Sequence, residues 1–151
     1  MKRDEIRKQV LADHVALRRT LGRLEGLASR VLSGSEDHFR VLRGEAIGCL
    51  DALLVHMEWE DIHLAPALRE VGARGEHLAA KLTRGHVEQR ELLRHVLRGL
   101  SDMTRPVCVV ARNLVDLCSL LREDLAGEEE MLLDARARRR EPALRSSADT
   151  C

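Results

Sequence analysis

Leu53-Leu54-Val55-His56-Met57-Glu58-Trp59-Glu60-Asp61-Ile62-His63-Leu64 is the stretch whose reading decides the fold. His56 and Glu60 are four residues apart, so on a helix they share one face. That face is otherwise apolar, with Leu53 on one side of the pair and Leu64 on the other. A later segment repeats the arrangement: Asp124 and Glu128, in phase with Leu117, Leu121 and Leu132. An ionised carboxylate carried into a core without a partner is strongly disfavoured. Each pair therefore calls for a cation beside it, and the economical one is a metal ion held between helices.

Four segments carry helical periodicity, separated by short breaks. The first is predicted from about Asp4 to Leu32, with Ile6, Val10, Leu17, Leu21 and Leu24 inward. Ser33-Gly34-Ser35-Glu36 breaks the chain, and Ser33 with Glu36 has capping-box spacing. The second helix is predicted from about Ser35 to Glu70, with Leu42, Cys49, Leu53, His56, Glu60 and Leu64 in phase, and with Pro66 bending its last turns. Gly72 to Gly75 reads as a turn. The third runs from about Glu76 to Leu100 on Leu82, His86, Leu93 and Leu97, and Pro106 opens a fourth that reaches about Asp134 on Val110, Leu114, Leu117 and Leu121. Four helices of similar length with short connections predict an all-α, up-down-up-down four-helix bundle over residues 1–134. The remainder, residues 135–151, is basic and then Ser-rich, and reads as a disordered tail.

Composition agrees. Hydrophobic residues make up 44% of the 151 and charged residues 33%, with three prolines and no Tyr, as suits one helical domain with a sizeable core. The formal net charge is zero, so bulk electrostatics favours neither nucleic acid nor an anionic membrane. No apolar run approaches the roughly 20 residues of a membrane span, and the N-terminal stretch lacks a signal-peptide core, so a cytoplasmic protein is expected. Cys49, Cys108, Cys118 and Cys151 show no C-x-x-C spacing; the first three are expected to be small buried residues.

His14 and His86 join the argument through depth. Each falls on the apolar stripe of its helix, and a lone histidine there is more often a satisfied core residue than a ligand. Yet His14 and His86 each lie about ten residues into helices one and three, while Glu60 and Asp124 lie about ten from the ends of helices two and four. At a rise of 1.5 Å per residue, all four sit roughly 15 Å from the same end of the bundle. His56 is about one turn deeper and Glu128 about one turn shallower. Six donors from four helices thus converge on one layer. Three imidazoles and three carboxylates suit two ions of intermediate hardness, iron first, with manganese or zinc as alternatives. Glu60 and Glu128 are the natural bridges.

At these residues the chain resembles the hemerythrin-like (HHE cation-binding) family over about residues 4–134. The family's pattern has one His in helix one, His-x-x-x-Glu in helix two, one His in helix three and a second His-x-x-x-Glu in helix four. Asp13-His14, His56 to Asp61 and Gly85-His86 match the first three elements. The resemblance implies a non-haem di-iron centre that binds or senses dioxygen, nitric oxide, peroxide or iron. In that reading His14, His56 and Glu60 hold one ion and His86, Asp124 and Glu128 the other. Helix four departs from the pattern, with Asp124 where the family has His, and a harder, more anionic donor there is expected to favour higher oxidation states over reversible dioxygen binding.

His63 shares the face of His56 and Glu60 and is weighed equally as an extra ligand and as a neighbour that supports one. Glu58, His77 and His95 point away from their stripes, and His38 is about 27 Å from His56 by helical rise. Trp59 and Phe39 read as packing residues, and the Arg136 to Arg140 run as a solvated tail. Two other functions stay open at this level: a di-iron or dimanganese oxidase or peroxidase, and a metal-free helical interaction module.

Overall fold

Leucines and alanines recurring at three- and four-residue intervals build four helices of nearly equal length in the computed structural model, which describes residues 2–137. They are α1 (Arg3–Leu32), α2 (Phe39–Arg69), α3 (Ala73–Ser101) and α4 (Val107–Ala137), with one 3₁₀ turn at Glu36–His38. At 1.5 Å per residue each is about 45 Å long. Among the described residues there is no strand. The predicted inward residues of α1 and α2 are buried, as are the apolar ones predicted on α4, and Leu97 on α3 is half-buried against the core. Helix α4 runs on to Ala137, just past the expected boundary. The tail beyond it, with Cys151, lies outside the described residues.

Two connections differ from expectation, each for a local reason. Ser33 does not cap the second helix; it ends the first. Its hydroxyl donates to the Ser29 carbonyl at 2.8 Å, while Gly34 N–H reaches Val31 O and Ser35 N–H reaches Arg30 O. That paired 5→2 and 6→1 pattern is a Schellman motif, which needs the left-handed backbone that Gly34 supplies at φ +100°. The α2–α3 turn is also shorter than predicted, because only Glu70, Val71 and Gly72 (φ +95°) make it. Gly75 already lies inside α3, buried against the end of α2, where a Cβ would stand 1.9 Å from the Leu68 carbonyl oxygen. Its hydrogen side chain lets the two helices turn back this tightly.

The interior divides into two apolar blocks. The larger includes Leu21, Leu24, Leu42, Leu50, Leu93 and Leu114; the smaller, at the opposite end, includes Ile6, Val10, Leu64, Leu78, Leu82 and Leu132. Helix α1 packs against α2 and α4, and α2 against α3, whereas the α3–α4 seam is the loosest. Cys49 and Cys118 lie in the larger block, where burial pushes their thiols up to about 11 and about 12. Cys108 was expected to be buried; it is exposed, because it sits in the first turn of α4 beside Val107, off the inward line that begins at Val110. No helix among the described residues is long and apolar enough to cross a membrane.

Candidate metal centre

Between the two apolar blocks lies a layer of five buried polar side chains: His14 from α1, His56 and Glu60 from α2, His86 from α3 and Glu128 from α4. Glu60 and His14 are fully inaccessible. Each residue falls at a three- or four-residue step in its helix's inward line, so the same packing that buries Leu53, Leu82 and Leu125 buries it too.

The donor atoms face one another. His14 Nε2 is 3.2 Å from His56 Nε2, 3.8 Å from Glu60 Oε1 and 3.2 Å from Glu128 Oε2. His56 Nε2 lies 3.5 Å from Glu60 Oε2. His86 Nε2 lies 3.2 Å from Glu60 Oε2 and 3.5 Å from Glu128 Oε1. Ligand atoms of His14, His56, Glu60 and Glu128 all fall within 4.8 Å of one another, the spread of donors around a single cation.

An outer ring of acidic residues turns the rings this way. On the far side of each imidazole stands a carboxylate from the neighbouring helix: Glu129 Oε1 at 3.1 Å from His14 Nδ1, Asp61 Oδ1 at 2.7 Å from His86 Nδ1, and Asp13 Oδ2 at 3.7 Å from His56 Nδ1. Each carboxylate is itself held, Glu129 by Arg18 at 2.6 Å, Asp61 by Arg90 at 2.5 Å and Asp13 by Gln9 at 2.8 Å. A carboxylate draws the ring proton to Nδ1 and leaves the Nε2 lone pair pointing inward. The sequence reading assigned none of these three residues this role. The signal was present as an acidic residue directly beside an inward one in Asp13-His14, Glu60-Asp61 and Glu128-Glu129. A step of one residue turns about 100° around a helix, so the partner emerges at the seam and meets the next helix's histidine.

Inward lone pairs and carboxylate oxygens without donors between them repel. Both Glu60 oxygens, Glu128 Oε2 and His86 Nε2 are buried and lack a well-aligned hydrogen-bond partner. Each such group is worth about 1–3 kcal/mol against folding unless something satisfies it. A divalent cation does so, and in its absence protons do. Burial drives an imidazolium down, yet at His14 the carboxylates of Glu128, Glu60 and Glu129 override it and raise the pKa to about 9. At His86 burial is likewise outweighed by Glu128, Glu60 and Asp61, and the pKa rises to about 10. Burial pushes the Glu128 carboxyl up, but the His14 and His86 rings hold it down to about 2. The donor set fits a cation of intermediate hardness.

Asp124 was expected in this layer and is not brought there. It is exposed beside α3, at the rim of a groove that it shares with Gln89, Gly85 and Gly127. Partial burial and the neighbouring Glu128, Glu123 and Glu88 raise its pKa, while a hydrogen bond from Gln89 opposes them. The inward line of α4 runs Leu114, Cys118, Leu121, Leu125, Glu128, Leu132, the ordinary helical rhythm of about 3.6 residues, and Leu125 takes the place expected for Asp124. His63 is half-buried and lies against Trp59, ring centroids 4.8 Å apart and planes tilted by 48°, and is not among the converging donors. Glu58, His77 and His95 are exposed, as their helical phase predicts.

An up-and-down helical bundle with histidines and carboxylates converging in its core defines a class, that of helical cation-binding domains built around a buried polar layer. The chain belongs to the hemerythrin HHE cation-binding domain family, whose model matches residues 5–135. No curated protein and no solved structure gives a significant match.

Proposed function

We propose that this chain is a cytoplasmic metal-binding protein with a non-haem di-iron centre that binds or senses dioxygen, nitric oxide, peroxide or iron. The observation that carries the reading is the buried convergence of His14, His56, Glu60, His86 and Glu128 with Glu60 and Glu128 oxygens left unpartnered. His14, His56 and Glu60 would hold one ion and His86 with Glu128 the other, Glu60 and Glu128 being shared. Asp124, exposed at the rim of the groove beside them, stands outside this set. When bound, iron supplies a redox-active Lewis acid with room for a small ligand. The protein's part is to hold the imidazoles by their outer carboxylates, to keep bulk water out with the two apolar blocks, and to balance charge. The unpartnered core carboxylates weigh against a metal-free interaction module.

Anaerobic loading with Fe²⁺, metal analysis and an absorption spectrum after exposure to air test this reading. About two ions per chain and an optical change with air support it; fewer than about 0.2 ions per chain sinks it. His56→Ala and Glu60→Ala should abolish metal content while His77→Ala leaves it intact. Catalytic turnover of peroxide with an added reductant would move the assignment to an oxidase or peroxidase.

A further inference from the structure

The geometry points to the α3–α4 groove as the entrance through which cations reach the buried cluster, with Asp124 as the first carboxylate they meet. This rests on the cation-site reading above.

Three of the four seams around the cluster are closed by an acidic residue on a histidine's outer nitrogen. Glu129, clamped by Arg18, closes α1–α4; Asp61, clamped by Arg90, closes α2–α3; Asp13 stands across α1–α2 against His56. The α3–α4 seam is built differently. Gly85 on α3 and Gly127 on α4 face a groove of about 190 Å³, and a Cβ added at either glycine meets nothing within 4 Å. That volume admits several waters, each occupying about 30 Å³ in the liquid.

The groove ends on the cluster itself. Glu128 lines it while only 7% exposed, and its buried Oε2, 3.2 Å from His14 Nε2, lacks a well-aligned hydrogen bond. Asp124 stands at the outer rim four residues earlier on α4, about one helical turn away. A hydrated dication sheds its waters in steps, and each step is eased where a carboxylate replaces the water lost. Asp124 offers the first replacement in solvent and Glu128 the second in the interior. Gln89, which lines the groove with Asp124, is a neutral neighbour that leaves the carboxylate free to take up a cation.

The test follows uptake of Co²⁺ by metal-free protein in a stopped-flow spectrometer, with final content measured by metal analysis. Gly127→Leu fills the groove from one wall and Gly85→Leu from the other, so a folding failure in one leaves the other. Both should slow uptake about tenfold or more at unchanged final content, since entry then waits on local opening of the bundle. Asp124→Asn should slow it about threefold, since it removes one of the two exposed carboxylates, Asp124 and Glu123, that offset Lys81 in the groove lining and concentrate cations there. Gly48→Leu, on the exposed face of α2 with open space around it, should load like wild type. Wild-type rates in both groove variants overturn the entrance while leaving the cation site standing. Lower final content at an unchanged rate also overturns it, because the glycines then shape the site and not its access. Absence of Co²⁺ and Fe²⁺ binding in wild type removes the cation site and the entrance together.

Discussion

Raising the pH of the metal-free protein from about 6.5 to about 8.5 should destabilise it, and the size of the loss follows from the buried layer. His14 and His86 have pKa values raised from the ordinary 6.5 to about 9 and about 10. The folded state therefore keeps protons that the unfolded chain gives up above 6.5. Their contribution is complete below 6.5 and is lost as pH climbs toward 9–10. Across two pH units, one retained proton is worth about 2 kcal/mol and two about 5 kcal/mol. The rings share Glu60 and Glu128, so a single shared proton gives the lower figure and independent protons the upper. Against a total of about 5–15 kcal/mol for a domain of ordinary stability, either is measurable. Urea unfolding of chelator-treated protein, followed by circular dichroism at several pH values, reads it directly. At about pH 8.5 the unfolded state's thiols are about half ionised, which adds only about 0.4 kcal/mol per buried cysteine, in the same direction as the histidines. Metal-loaded protein should show the opposite trend, because ions bind neutral imidazoles and compete better as protons leave. Glu60→Gln, which removes one of the charges holding the protons, should flatten the metal-free slope. A metal-free protein equally stable at both pH values would refute the reasoning.

At the acid end, Glu128 holds its charge down to about 2, so its contribution, complete above its ordinary 4.5, should be lost progressively in the same unfolding assay as the pH falls from there to about 2. Gly75→Ala should lower stability by about 2–3 kcal/mol, since its Cβ meets the Leu68 backbone, while Gly48→Ala in open space should raise it by about 0.5–1 kcal/mol; thermal melts decide both. Asp61→Asn and Glu129→Gln keep every inward donor yet loosen His86 and His14, so chelator competition should show metal affinity weakened about 10–100-fold.

Most of the bundle was legible because helices report their buried faces locally. Val10, Leu17 and Leu21, or Leu53 and Leu64, name the inward line of their helices before any neighbour is known, and His14, His56, Glu60, His86 and Glu128 lie on such lines. Asp124 was misplaced because four-residue spacing to Glu128 fits two rotations of α4, about 40° apart at 100° per residue. Leu125, seven after Cys118 and three before Glu128, chooses between them. The outer carboxylates were harder to read. Glu129 and His14 are 115 residues apart, and nothing local to either says that they will meet.

Helix number, the residues each helix turns inward, and the chemistry of the donors were decided by the order of amino acids, since burial of an apolar stripe needs only its period. How far each helix rotates about its axis, and so whether a flanking residue such as Asp124 or Asp61 meets solvent or a neighbouring ring, was decided when all four packed together. The open α3–α4 seam has the same origin. Gly85 and Gly127 leave space only because packing sets them on the two sides of one groove, a relation that neither helix carries alone.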